Sequence, residues 1–314
     1  MGRSNMGKNL SAIDWLNGLL GFVIFIFYIF SIPGNPYTYK PLIIIALSFF
    51  IIYLAVIFRK QIVKEPVNYK LSALKKIYLD FYPLIFLFVV FESFFMILPY
   101  FNRHDYDTQL FNLDYKLLGV HPTLWVEQFV RPWLTDLLYS LYLFYFIFPF
   151  FILVYLYKKK KYQELDRSVF ILLLVYYGAY ISYFIFPAMG PRFYEPLMQM
   201  QSKTLNGVFL AIPIRHLISI FEPNKFDAFP SLHTAISLST IILMAKYNKK
   251  MFIIFIPVVI GIWISLVYCR YHYVVDMIVG VFWTILSFYL GNQIYNKMMK
   301  FKLPLFFKEN QDAN

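Results

Sequence analysis

The sequence of 314 residues is poor in cysteine, in charge and above all in acid. Its single cysteine, Cys269, cannot cross-link its own chain, which excludes a disulfide scaffold. Charged residues make up 15% of the chain and hydrophobic ones 60%, against about 25% and about 45–50% in a soluble domain. That balance excludes an ordinary soluble enzyme, and it excludes disorder, which needs low hydrophobicity. No internal repeat or low-complexity segment is evident either. The 17 acids leave the 29 Lys and Arg with a net charge of +12. Such an excess suits a nucleic-acid partner, an anionic membrane surface or the sided charge of a membrane protein, and where the charges sit decides among them.

What the chain does contain is long apolar runs. A helix crossing about 30 Å of hydrocarbon needs about 20 apolar residues. Eight runs bounded by charge, proline or glycine are candidates: 15–32, 41–58, 81–98, 133–157, 168–186, 231–245, 251–268 and 273–295. The sixth is short for a bilayer core. The expectation is an all-α, polytopic membrane protein of about eight transmembrane helices. It divides into N-terminal helices with an outer loop (1–132), a membrane core (133–296) and a basic tail (297–314). The first run is followed by no small-residue cleavage site, so it is read as an anchor and not a signal peptide.

Eight spans put both termini on one side, and 20 of the 29 cations fall there, the run Lys158 to Lys161 among them. By the positive-inside rule both termini are cytoplasmic. The basic excess then reports insertion, and without a recognition module no nucleic-acid partner is expected. Two outer connections, 99–132 and 187–230, are too long to be turns, and loops of that length carry function. All five histidines fall on this outer side, with His104, His121 and His216 read as loop residues. The stretch 208–221, interrupted by Pro213, is too short to span and is read as an interfacial or re-entrant lid. Glu92, inside the third run, either pairs with another helix, lines the cavity or marks an ion path, and the structural reading is favoured.

Two segments lie where an outer loop enters a helix: Ala228-Phe-Pro-Ser-Leu-His233 and Cys269-Arg-Tyr-His-Tyr-Val-Val-Asp276. His272 and Asp276 are one helical turn apart, so they share a face and can hydrogen-bond, which fixes the imidazole tautomer and sharpens its free nitrogen. Pro230 and Ser231 are helix-start signals that leave His233 in the first turn, among N–H groups that attract phosphate. Gly190 and Pro191 set Arg192 at the water–lipid boundary, and Arg270 stands two residues before His272; both suit bidentate binding of phosphate oxygens. Together these residues fit phosphoryl transfer through a phosphohistidine. One histidine attacks, the other protonates the leaving oxygen, and no metal or other cofactor is required. The rival reading, zinc held by His233, His272 and Asp276, lacks a fourth obvious ligand.

These motifs resemble the type 2 phosphatidic acid phosphatase superfamily, whose pattern is Lys-x6-Arg-Pro, Pro-Ser-Gly-His and Ser-Arg-x5-His-x3-Asp. Here the second block reads Pro230-Ser231-Leu232-His233, and the third keeps Ser265, His272, Asp276 and a helix-packing Gly280. Leu232 replaces a glycine, Leu266 an arginine, and Ile185 the first lysine. Those departures resemble the branch of inositol phosphorylceramide synthases, with Phe-Pro-Ser-Leu-His and His-Tyr-x-x-Asp. The resemblance implies a six-helix phosphatase-like core within 133–296. It makes His272 the nucleophile, Asp276 its orienter and His233 the general acid and base, with Arg192 on the phosphate; the reading of the residues adds Arg270 and Ser231 there. Arg270 would stand in for the arginine absent at Leu266. It implies a phospholipid donor and a lipid alcohol acceptor, ceramide or diacylglycerol, met on the periplasmic, lumenal or extracellular side. The alternatives are a lipid phosphate or polyprenyl pyrophosphate phosphatase that uses water and, from another class, a lipid or ion transporter using Glu92 and the outer acids.

Overall fold

The computed structural model describes residues 10–36, 39–64, 69–221 and 225–300; the side chain of Glu92 and the tail from 301 lie outside what is described. Over these residues the chain is helical, with no strand. Its contacts divide it into two compact units.

The first unit comprises Met1–Arg103, Leu156–Leu174 and Tyr289–Asn314. In it α1 (Ala12–Ser31), α2 (Lys40–Lys64) and α3 (Tyr69–Phe101) pack on one another. A capping box starts α1: Ser11 accepts from the Asp14 N–H, and the Asp14 carboxylate accepts from the Ser11 N–H. The same carboxylate accepts from the buried Tyr82 hydroxyl, which ties α1 to α3. Elsewhere in this unit Tyr295 donates to Asp166 at 2.7 Å.

The second unit comprises His104–Tyr155 and Val175–Phe288. After α4 (Asp107–Leu118) come α5 (Pro122–Trp125) with a 3-10 turn (Val126–Phe129), α6 (Pro132–Phe144) and α7 (Phe148–Lys158). They are followed by α8 (Tyr162–Ile185), which belongs to this unit from Val175 on, α9 (Glu195–Met200) and α10 (Ala211–Phe221). The last three are α11 (Leu232–Tyr247), α12 (Lys249–Tyr268) and α13 (Val274–Lys300). Within the unit α11 packs on α12, α12 on α6, and α6 on α10.

The chain is a multi-pass membrane protein. Among the described residues α1, Lys40–Phe58 of α2, α8, α12 and α13 are long and apolar enough to cross a bilayer, and α6 with α7 makes a sixth if the bent pair is one span. The expected count of eight is not reached by that measure. In α3 the apolar stretch found is Phe81–Phe91, and α11 has only 16 residues.

The fourth run is two helices meeting at 44°. Pro149 has no N–H to return to the Tyr145 carbonyl, and the helix breaks just before it, although α3 and α12 run on through Pro83, Pro99 and Pro257. The N–H groups of Tyr145, Phe146 and Ile147 instead reach carbonyls three residues back at 3.1–3.2 Å. Pro213, expected to interrupt 208–221, sits in the first turn of α10, where a missing N–H is no loss.

Candidate active site

The link between α12 and α13 is short and fully determined. Cys269 N–H closes on Ser265 O at 2.8 Å, Arg270 takes a left-handed conformation (φ 65°), and the N–H groups of Tyr271 and His272 both point to Leu266 O. A left-handed residue with a Cβ costs roughly 1–2 kcal/mol. Here that conformation turns the chain so that His272 faces back over the end of α12. Leu266, where the family pattern has arginine, is buried in a core with Tyr142, Ile214 and Tyr268. α13 then starts against Asp114, whose carboxylate accepts from the Val274 and Val275 N–H groups at 2.9 and 2.8 Å.

The opposite wall is the 187–192 loop. Asp107, buried at the start of α4, accepts from Met189 N–H at 2.5 Å, Gly190 N–H at 2.8 Å and the Tyr273 hydroxyl at 2.9 Å. Burial and the neighbouring Asp105 push the Asp107 carboxyl up to about 7. Gly190 is required here twice over. Its φ is +82°, and a Cβ would lie 2.4 Å from Tyr271 O. Arg192 emerges from this turn with Nη1 on the Tyr271 hydroxyl at 2.6 Å and its guanidinium 5.0 Å from that ring's centre.

Ser231 is the N-cap of α11, its hydroxyl oxygen accepting from the N–H and hydroxyl of Thr234 at 3.3 and 3.2 Å. Its own N–H goes to Asp276 O at 3.0 Å. A Cβ on Gly280 would lie 2.7 Å from Ser231 O, so α13 can approach the head of α11 only with glycine there. Through these contacts the two histidine-bearing segments are fixed to one another.

His233 Nδ1 and His272 Nε2 are 3.1 Å apart, both rings buried. His272 Nδ1 lies 3.1 Å from Ala228 O and 3.5 Å from Asp276 Oδ2. A carbonyl only accepts, so the network assigns the His272 proton to Nδ1. That leaves the Nε2 lone pair facing a Nδ1–H of His233. The pairing with Asp276 differs from the helical-face contact expected from the spacing. His272 precedes the helix, and Asp276 Oδ2 reaches back to accept the Tyr273 N–H at 2.9 Å, as the third residue of a capping box does. Burial and the nearby His233 ring hold His272 well below the usual histidine pKa. The rings of Tyr142 and Tyr145 stand 4.6 and 4.2 Å from that of His233. Tyr145 is at the break that Pro149 imposes.

The fold thus gathers His233, His272, Asp276 and Ser231, with Arg192 one ring away across Tyr271. Arg270 is engaged elsewhere: it donates to Glu127 Oε1 at 2.6 Å, Gln201 Oε1 at 2.7 Å and Lys203 O at 2.7 Å. Among the described residues no three His, Cys, Asp or Glu converge as metal ligands. Sequence reading missed what frames the site. Asp107 and Asp114 hold the loops, Glu127 also accepts from Ser202 N–H at 2.9 Å, and Asp136 accepts from four successive N–H groups, 208 to 211, at the head of α10. A signal was present, since Asp107 and Asp114 lie seven apart on one face of an amphipathic helix.

The family model of the PAP2 superfamily matches residues 108–290. The phosphoinositol dihydroceramide synthase of Bacteroides thetaiotaomicron is 26% identical over 137 residues, 40% of this chain and 45% of that protein. A PA-phosphatase related-family protein of Dictyostelium discoideum is 26% identical over 227 residues, 60% of this chain and 40% of that protein. The chain therefore spans less than half the length of the curated relatives it matches. No solved structure matches.

Proposed function

The chain belongs to the PAP2 superfamily, since the matched segment takes in more than half of it, and from that premise we propose a membrane-embedded phosphotransferase that moves a phospho-head-group, such as phosphoinositol, between lipids. The observation that carries this reading is the buried pair of ring nitrogens, His272 Nε2 and His233 Nδ1, 3.1 Å apart, with the Ala228 carbonyl assigning the His272 proton to Nδ1. The printed name of the Bacteroides relative points to the same chemistry.

In the proposed reaction the donor phosphodiester enters between the two nitrogens, and the rings part to admit it. His272 Nε2 attacks phosphorus; the N–P bond forms as the bond from phosphorus to the diacylglycerol oxygen breaks, and His233 gives that oxygen its Nδ1 proton. Ala228 O and Asp276 hold the Nδ1–H of His272 and stabilise the cation that develops on its ring. Arg192 and the hydroxyl hydrogen of Ser231 take the phosphate oxygens. In the second half a lipid hydroxyl loses its proton to His233 and attacks phosphorus, and the N–P bond breaks. Amphiphilic donor and acceptor meet on the face opposite both termini.

With a lipid phosphate as donor and water in place of the lipid alcohol, the same site is a phosphatase, as the Dictyostelium relative's name would suggest. The test is to give purified protein phosphatidylinositol labelled in its head group, with and without ceramide or diacylglycerol. Label in ceramide supports the transferase; soluble label formed independently of acceptor supports the hydrolase and removes the transfer reading.

A further inference from the structure

In the second half of the proposed reaction His233 takes the proton of the attacking hydroxyl, so that hydroxyl must come within hydrogen-bond reach of His233 Nδ1. What surrounds the His233 ring therefore decides which hydroxyl arrives. The two sides of the histidine pair differ. Beside His272 stand Tyr271 and, on its hydroxyl, Arg192, a polar wall suited to phosphate. Around His233 three aromatic rings close in. Those of Tyr142 and Tyr145 lie against it at 4.6 and 4.2 Å, tilted by 36° and 41°, and Phe146 meets it edge-on at 6.4 Å and 87°. Tyr142 also packs on Tyr271 at 4.2 Å and so joins the two walls. All of these residues belong to the second unit.

The aromatic wall comes from the break between α6 and α7. Tyr142 lies ten residues beyond Pro132, roughly 15 Å along the helix, inside the bent pair that together is long and apolar enough to cross a bilayer. Tyr142 and Tyr145 are buried, at 0% and 4% exposure, and the chain then turns outward: Phe146 is half-buried and Ile147 is 54% exposed. Phe150 and Phe151 continue that exposed apolar surface. In a multi-pass membrane protein such a surface faces lipid. Phe146 thus borders both the His233 ring and the lipid side. Water is the rival nucleophile at a phosphohistidine. It attacks the same phosphorus, gives its proton to His233 and, as the N–P bond breaks, releases the head group as a soluble phosphate ester. The bonds made and broken are the same for either acceptor, so a preference for lipid has to come from access to the site.

We propose that Phe146, with Tyr145 and Tyr142 behind it, selects the acceptor: the aromatic wall keeps water from His233 and admits an alcohol carried on a hydrocarbon chain from the lipid side. The inference rests on the lipid phosphotransferase reading above and names the residues that set its acceptor. A long-chain alcohol brings apolar surface that gains by contact with these rings. Water brings none, and against the rings it gives up hydrogen bonds that they do not replace. Discrimination of this kind works by making the wrong partner's position costly as well as the right one's favourable.

The test measures partition between acceptors, which a merely structural role would not move. Full-length protein in detergent micelles receives phosphatidylinositol labelled in its head group, with ceramide and in parallel with a diacylglycerol of different chain length. Labelled lipid product and soluble label are counted side by side. Phe146→Ala should raise the ratio of soluble label to lipid product on the order of tenfold, the discrimination that a small change in an apolar pocket supplies. Phe146→Leu, which keeps an apolar cover, should raise it less. Phe150→Ala, one turn further along the same exposed surface, should leave the ratio as it is. A Phe146→Ala protein that loses total turnover at an unchanged ratio overturns the proposal, as does an equal rise in Phe150→Ala. If Phe146→Ala does not fold, Phe146→Val must show the rise in its place. A parent protein that yields no lipid product in either mixture removes the transferase reading and this inference with it. Lipid product formed at a ratio that the Phe146 variants do not change removes this inference alone.

Discussion

In the proposed reaction His272 is the nucleophile, and its surroundings keep its ring uncharged at neutral pH and below. Burial and the His233 ring depress its pKa well below the usual 6.5 or so, so the neutral form that can attack persists into mild acid. The acid limb of kcat/KM should therefore fall below pH 6.5. A limb at or above that value in a pH–rate profile contradicts the assignment. Linkage gives a matching stability effect. The unfolded chain takes up the proton first as pH falls, so the contribution of His272 to stability is whole above about 6.5 and lost on descending through the folded pKa. His272→Ala should lower turnover by about a thousandfold or more in a protein that still unfolds cooperatively. Asp276→Asn keeps an acceptor for the Tyr273 N–H but loses the charge, and should cost about a hundredfold in kcat.

The histidines were legible because two short motifs mark them at helix heads. The carboxylates that place them were not. Asp107, Asp114 and Glu127 read in sequence as outer-loop acids and Asp136 as an acid near the start of the fourth run, and one alternative gave the outer acids to lipid or ion transport. Each instead accepts backbone N–H groups from a loop tens of residues away, and no local spacing announces such a partner.

Elements explain how a sequence rich in apolar helix produces a polar site. Pro149 breaks one expected span into α6 and α7 and leaves Tyr145 against His233. The left-handed turn at Arg270 and the close approach at Gly190 fold two loops onto each other. Asp114 then caps α13 with two charged hydrogen bonds. Asp114→Ala should destabilise the protein by roughly 2–3 kcal/mol, while Asp114→Asn costs less, as thermal unfolding in detergent would register. If both variants melt as the parent does, the cap contributes nothing and the position of α13 has another cause. Helix identity was largely legible from apolar runs. The break was missed because hydropathy is blind to a single proline inside an apolar stretch.

At the scale of the whole molecule, composition alone identified a helical membrane protein, and the charge excess gave an expected orientation. That orientation is testable. In a Lys159→Cys protein a membrane-impermeant thiol reagent should label position 159 only after the membrane is opened, Cys269 being buried. Labelling in intact cells would invert the topology and move the site to the other face. The number of spans was less legible, because α11 is too short to register by length and the described apolar part of α3 is short as well.

The central claim is that the two histidines divide the work of one phosphoryl transfer, with His272 carrying the phospho-head-group between lipids. It is tested most directly by an alkaline quench of the parent protein during exposure to head-group-labelled phosphatidylinositol without acceptor lipid, then sequencing the labelled peptide by mass spectrometry. The account predicts an acid-labile phosphoramidate on His272 that is absent from the His272→Ala protein. A label on another residue, or full turnover in His272→Ala, would contradict it.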